Sequence, residues 1–143
     1  MIVRIRGCRD LKIKKELKKA TIFYASQLLS KKMLPYIKID IVMKTYTKDL
    51  GSCMVTFNND NYKPREFEIE LKRHRCLSGT LKTLAHEMVH VKQLAKGELN
   101  DDHTRWQGKK INSDKIDYME LPWEAEAFFC EYILYKTYKE SRE

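Results

Sequence analysis

His86-Glu87-Met88-Val89-His90 constrains this chain more than any other stretch. On a helix, histidines four residues apart stand one turn apart and point the same way, so both can reach one cation. Glu87 follows the first histidine by roughly 100° around the axis, which sets its carboxylate beside such a cation, where a base can act on water. With 4 His in 143 residues, random order gives roughly 0.01 matches to H-E-x-x-H, so the pattern carries meaning. Its surroundings agree. Over residues 80–96, Leu81, Leu84, Met88, Val91 and Ala95 fall on the face opposite His86 and His90, as expected for a core helix that shows its other side to a cleft.

The rest of the chain is expected to build one domain, residues 1–143, around that helix. At 143 residues a chain buries roughly two-thirds of its unfolded surface, enough for one core. Hydrophobic residues at 43%, with only 5 Gly and 3 Pro, exclude a disordered chain. No apolar run reaches the roughly 18 residues of a membrane span. The basic start MIVRIRGCRDLKIKK lacks the apolar stretch of a secretory signal, so a cytoplasmic location without membrane contact is expected. Cys8, Cys53, Cys76 and Cys130 form no C-x-x-C pair, which points to buried free thiols rather than disulfides or an all-cysteine zinc site.

Net charge is +8, and it is uneven: residues 1–50 hold 13 Lys/Arg against 4 Asp/Glu, residues 113–143 hold 4 against 8. A basic N-terminal half can meet an acidic protein surface or nucleic acid. The plainer reading is a solvated helix face, because no nucleic-acid motif accompanies the charge.

Residues 10–33 place Ile13, Leu17, Ala20, Tyr24 and Leu28 at helical spacing, which predicts a long amphipathic helix capped by Asp10 and stopped ahead of Pro35. Strands are expected at 36–44, where Ile37, Ile39, Ile41 and Met43 alternate with polar residues, at 52–57 after Gly51, and at 65–72. In the last of these Phe67, Ile69 and Leu71 point inward and Glu66, Glu68 and Glu70 outward. Asn58-Asn59-Asp60-Asn61 reads as a turn, and short connections predict an antiparallel meander. Ser78, Gly79 and Thr80 are expected to open the motif helix and Gly97 to close it. Residues 100–119 read as an ordered loop with a small hairpin at Gln107-Gly108. A final helix begins at Pro122 and packs through Ala127, Cys130, Ile133 and Leu134. The expected fold class is α+β.

Two histidines need a third protein ligand to complete a zinc site. The spacing H-E-x-x-H-x-x-G-x-x-H would put glycine at 93 and histidine at 96, where this chain has Gln93 and Lys96, so that arrangement is excluded. Glu124, Glu126, His103 and Glu98 remain. Glu124 is favoured, since the small Ala127 one turn on lets two helices approach, whereas bulky Phe129 follows Glu126 at that spacing.

His86-Glu87-x-x-His90 followed by Glu124-x-x-Ala127 resembles the gluzincin pattern, and HEMVHVKQLAKGEL with LPWEAEAF resembles small bacterial and phage metallopeptidases of the ImmA/IrrE kind. The resemblance covers residues 81–134. It implies a minimal zincin-like fold: an N-terminal helix, a three-stranded mostly antiparallel sheet, the motif helix and a C-terminal ligand helix. It implies that His86, His90 and Glu124 hold Zn2+ and that Glu87 is the general base of a metallopeptidase acting on a peptide or protein. Phe128 departs from the pattern, standing where such families often carry Asp or Asn against a ligand histidine. The partner is then expected from elsewhere, Gln93 or Glu131, or else the metal is held more loosely. Tyr118, just before the last helix, is the expected oxyanion donor, ahead of His103.

Two other classes of function suit the same residues. One is a zincin-fold binding or regulatory protein without turnover, against which Glu87 argues, because holding zinc does not require it. The other is a zinc-stabilised nucleic-acid-associated domain, whose mark is salt-dependent binding to DNA.

Overall fold

A computed structural model describes residues 1–57 and 63–142, so the turn expected at Asn58-Asn59-Asp60-Asn61 lies outside the described residues. The chain opens with strand β1, Ile2–Arg6, in which Val3 and Ile5 are buried and the arginines face out. Read from sequence only as a basic start, this segment is a sheet strand. Its alternation is brief and masked by arginines, and partner strands rather than local propensity hold it. Helix α1, Leu11–Leu28, begins where Asp10 accepts the backbone N–H groups of Lys12 and Ile13 at 2.9 and 3.3 Å. It ends before the expected Met33. Leu29 turns extended, and Met33 and Leu34 donate to the Ser30 carbonyl in a separate turn ahead of Pro35. Lys12, Lys15, Lys18 and Lys19 are exposed along α1.

Strands β2 (Lys38–Lys44), β3 (Gly51–Phe57) and β4 (Glu66–Lys72) join β1 in a mixed sheet of order β1-β2-β4-β3. β2 runs parallel to both β1 and β4, and only β3 and β4 are antiparallel. The expected three-stranded antiparallel meander is therefore overturned in strand number, order and direction. In register, Ile39 and Ile41 of β2 lie between Val3 and Ile5 on one side and Phe67 and Ile69 on the other. This arrangement puts the most apolar strands at the centre, and buried parallel pairing favours such runs. β3, whose residues are at most half-buried, is left at an edge.

Helices α1 and α2 cover the apolar face of the sheet. Cross-strand ion pairs mark the other face: Arg6–Glu68, Lys38–Glu66 and Lys44–Glu70 at 3.5, 3.3 and 2.6 Å. Exposed pairs of this kind contribute about 0–1 kcal/mol each, so they define the wet side more than they stabilise it.

α2, Leu77–Ala95, starts three residues before Thr80, after an exposed Cys76 N-cap. Its end is as expected. Gly97 takes φ +74°, and the N–H groups of Glu98 and Gly97 bond back to the carbonyls of Gln93 and Leu94. All four cysteines are free, but none is fully buried; Cys76 faces solvent at the helix boundary and the others are half-buried. β5 (Arg105–Trp106) and β6 (Lys109–Lys110) form the expected hairpin, with Gln107 and Gly108 both at positive φ. The last helix, α3, is Pro122–Ser141 and buries Trp123, Glu124, Ala127 and Leu134. Ile133, expected among its packing residues, is exposed. Among the described residues no helix is long and apolar enough to cross a membrane.

Candidate metal centre

α2 is buried on every side from Leu84 to Val91, because it lies between the sheet and α3. Leu84, Met88, Val91 and Ala95 enter the core as their spacing predicts. The opposite stripe carries His86 and His90 towards α3, which approaches closely where Ala127 is fully buried, while Glu87 lies beside Gly51 of β3. One turn earlier, in the first turn of α3, stands Glu124.

The Glu124 carboxylate bridges the two imidazoles. Its Oε1 lies 3.0 Å from His86 Nε2 and its Oε2 lies 3.1 Å from His90 Nε2. One ligand atom from each of these three residues falls within 4.8 Å of the others, and all three residues are buried. The remaining ring nitrogens are also held: His86 Nδ1 is 3.0 Å from Glu131 Oε2, and His90 Nδ1 is 2.8 Å from Gln93 Oε1. A carboxylate or an amide oxygen only accepts, so each Nδ1 donates; in the metal-free site each Nε2 also donates, to Glu124, and becomes a ligand nitrogen once that proton leaves. Two oriented imidazoles and one carboxylate, buried and converging, are a donor set that can hold a metal ion.

The electrostatics of the metal-free site follow from this convergence. Burial opposes charge on Glu124, but hydrogen bonds from His86 and His90 outweigh it and hold the carboxyl well below the usual range. Burial likewise pulls His86 down, and Glu124 and Glu131 overcome it, raising its pKa to about 9. His90 is raised in the same way by Glu124. For Glu87 burial dominates over the neighbouring imidazoles and lifts its pKa to about 7. In the metal-free site that carboxyl therefore gains and loses a proton near neutrality.

The other residues considered as third ligands are engaged elsewhere. Glu126 Oε1 accepts from Lys92 Nζ at 2.9 Å and from Gln93 Nε2 at 3.1 Å, and Glu98 pairs with Lys92 at 2.8 Å. His103 lies against the Trp123 ring, 5.7 Å between centroids, outside the converging trio. Tyr118 is largely exposed, with its ring near Phe128; desolvation of its hydroxyl, then hydrogen bonding to Glu124, raises its pKa.

Phe128 packs edge-on against His86 at 4.6 Å. The carboxylate missing from that position comes from Glu131, while Gln93 serves His90, so both residues offered by the sequence are used, one for each histidine. Gln93 is itself fixed by donating to the Trp123 carbonyl at 2.9 Å and to Glu126. The buttressing role of Glu126 was not anticipated; its only sequence signal was nearness to Glu124.

Beside His86 and Glu87 opens a cleft of about 660 Å³, bounded also by Tyr118, by Lys48 and Asp49 before β3, and by Arg75 before α2. No motif announced those last three residues. Compared with protein-family models, with curated proteins and with solved structures, the chain matches none.

Proposed function

We propose that the chain is a zinc-dependent metallopeptidase built on a zincin-like arrangement. One observation carries this reading: a buried glutamate stands beside two oriented imidazoles and a carboxylate, at the head of a cleft. Imidazole nitrogen and carboxylate oxygen suit zinc among the divalent ions. His86, His90 and Glu124 would hold it. When bound, zinc supplies Lewis-acid chemistry, polarising a carbonyl and acidifying water.

This chain's own residues do the rest. Glu87, beside the cation that His86 and His90 would hold, takes a proton from water and returns it to the leaving amine. Glu131 and Gln93 keep each ring turned with Nε2 inward. Tyr118, which lines the cleft, is assigned as donor to the developing oxyanion. A peptide substrate would add as a strand along β3, the edge strand whose first residue, Gly51, borders the cleft beside Thr83 and Glu87.

The test is metal content together with cleavage. Purified protein should carry about one zinc per chain and cut a peptide library. Glu87→Gln should abolish cutting with zinc retained. Zinc without any cleavage by the unaltered protein would reject the enzyme in favour of a binding protein.

A further inference from the structure

The cleft beside Glu87 is lined by Lys48, Arg75 and Lys82, and among the described residues none of the three belongs to an ion pair. Its two further acids do not balance them. Glu131 is occupied by His86, leaving Asp49 alone. Lys82 Nζ is drawn towards α3, 5.2 Å from the centre of the Tyr135 ring. Arg75 is the fixed cation. Its Nη1 donates to Thr83 Oγ1 at 2.7 Å, and its Nη2 lies where a Cβ on Gly79 would come within 3.0 Å, so the guanidinium rests on a helix turn that has no side chain there. That first turn contains no acidic residue, and a helix N-terminus adds positive potential of its own.

A partly buried guanidinium that lines the cleft, tied through Nη1 to Thr83 and without a carboxylate partner among the described residues, has the chemistry of the fork that binds a carboxylate through two parallel hydrogen bonds. Resting on the peptidase reading above, we propose that Arg75 forms a substrate-carboxylate subsite of the cleft. Thr83, to which Arg75 is tied, precedes Glu87 by four residues on α2, a rise of roughly 6 Å. Extended peptide advances roughly 3.3–3.6 Å per residue, so the carboxylate belongs about two residues from the bond that is cut. It comes either from an Asp or Glu side chain or from the substrate's own C-terminus. The chemistry is shared, and the arms of the experiment separate the sources.

The experiment uses the intact zinc-loaded protein and four peptides of one core sequence, which carry Glu or Gln two residues from the cleavage point and end in a free carboxylate or an amide. Binding of the same peptides to intact Glu87→Gln protein is followed by fluorescence anisotropy. A charged partner on arginine is expected to favour one carboxylate-bearing peptide roughly ten- to a hundred-fold in kcat/KM over its uncharged counterpart. The Glu-for-Gln pair reports a side-chain source and the acid-for-amide pair a terminal one. Arg75→Gln should collapse that ratio towards one, and Arg75→Glu should invert it in favour of Lys at the same position, a gain that a misfolded protein cannot show. Cleavage with no preference for either carboxylate overturns the subsite and leaves the peptidase standing. Arg75-dependent carboxylate binding without cleavage keeps the subsite and rejects the peptidase. Absence of both preference and binding overturns it outright.

Discussion

Glu131 and Glu124 bracket one imidazole: Glu131 Oε2 stands 3.0 Å from Nδ1 of His86, and Glu124 Oε1 stands 3.0 Å from its Nε2. They lie two turns apart on one face of α3, so a single helix supplies both an inner carboxylate and the outer one that orients the ring. α2 repeats the device for His90 with its own Gln93, three residues on.

Removing the outer carboxylate should loosen the metal without displacing it. Glu131→Ala is expected to weaken zinc binding roughly 10–100-fold, as loss of a ring-orienting partner generally does. Glu131→Gln keeps an acceptor oxygen and should recover most of that. Competition against a chromophoric chelator reads both, and an unchanged affinity in Glu131→Ala would remove that residue from the site.

Glu124 and Glu126 should separate cleanly. Glu124→Ala takes away the carboxylate that meets both Nε2 atoms, and the purified protein is expected to lose its zinc. Glu126→Ala leaves Gln93 bonded to the Trp123 carbonyl and Lys92 paired with Glu98, so zinc should stay and stability should fall by about 1 kcal/mol. Metal analysis with urea unfolding decides this, and zinc loss in Glu126→Ala alone would reverse the assignment.

The metal-free protein should be destabilised by alkali. His86 is raised from 6.5 to about 9 on folding. Its contribution is therefore complete below pH 6.5 and disappears as pH rises through 9, about 3 kcal/mol at most. Glu87, raised from 4.5 to about 7 by burial, acts in the same direction, favouring the fold below 4.5 and losing that contribution through 7. Urea unfolding of chelator-treated protein between pH 6.5 and 9 should show the decline. Zinc uptake must displace the His86 proton, so proton release should accompany it at neutral pH. A flat stability profile would contradict the bracketed imidazole.

The site was far more legible in the sequence than the sheet that carries it. His86, Glu87 and His90 sit at a spacing with one helical meaning, and Ala127 marked where α3 could approach, which singled out Glu124. Strand direction had no such signature. The alternation in β2 and β4 shows which side chains turn inward, yet Ile39 faces inward equally well beside a parallel or an antiparallel partner. β1 was hidden because Val3 and Ile5 are only two inward positions among arginines, and their strand becomes evident only once β2 is beside it. Arg75 and Lys48 reach the cleft from loops, where neither periodicity nor motif constrains a side chain.

Gly51 joins the sheet edge to the site, and its substitution should disturb catalysis before it disturbs metal. A Cβ there would lie 2.6 Å from Thr83 Cγ2, 3.2 Å from the Glu70 carbonyl oxygen and 3.3 Å from Glu87 Cγ. Thr83 is β-branched and held by Arg75 at its hydroxyl, so it has no free rotamer to retreat into. The start of β3 must move instead. Gly51→Ala is expected to cost about 1–3 kcal/mol by overpacking and, by shifting Glu87 and the edge proposed for the substrate, to lower kcat/KM while zinc binding by His86, His90 and Glu124 is retained. Thermal melting, metal content and peptide cleavage of the one variant test this together. Wild-type stability with wild-type cleavage would mean that β3 does not press on the helix at that point, and the edge-strand route for substrate would lose its support.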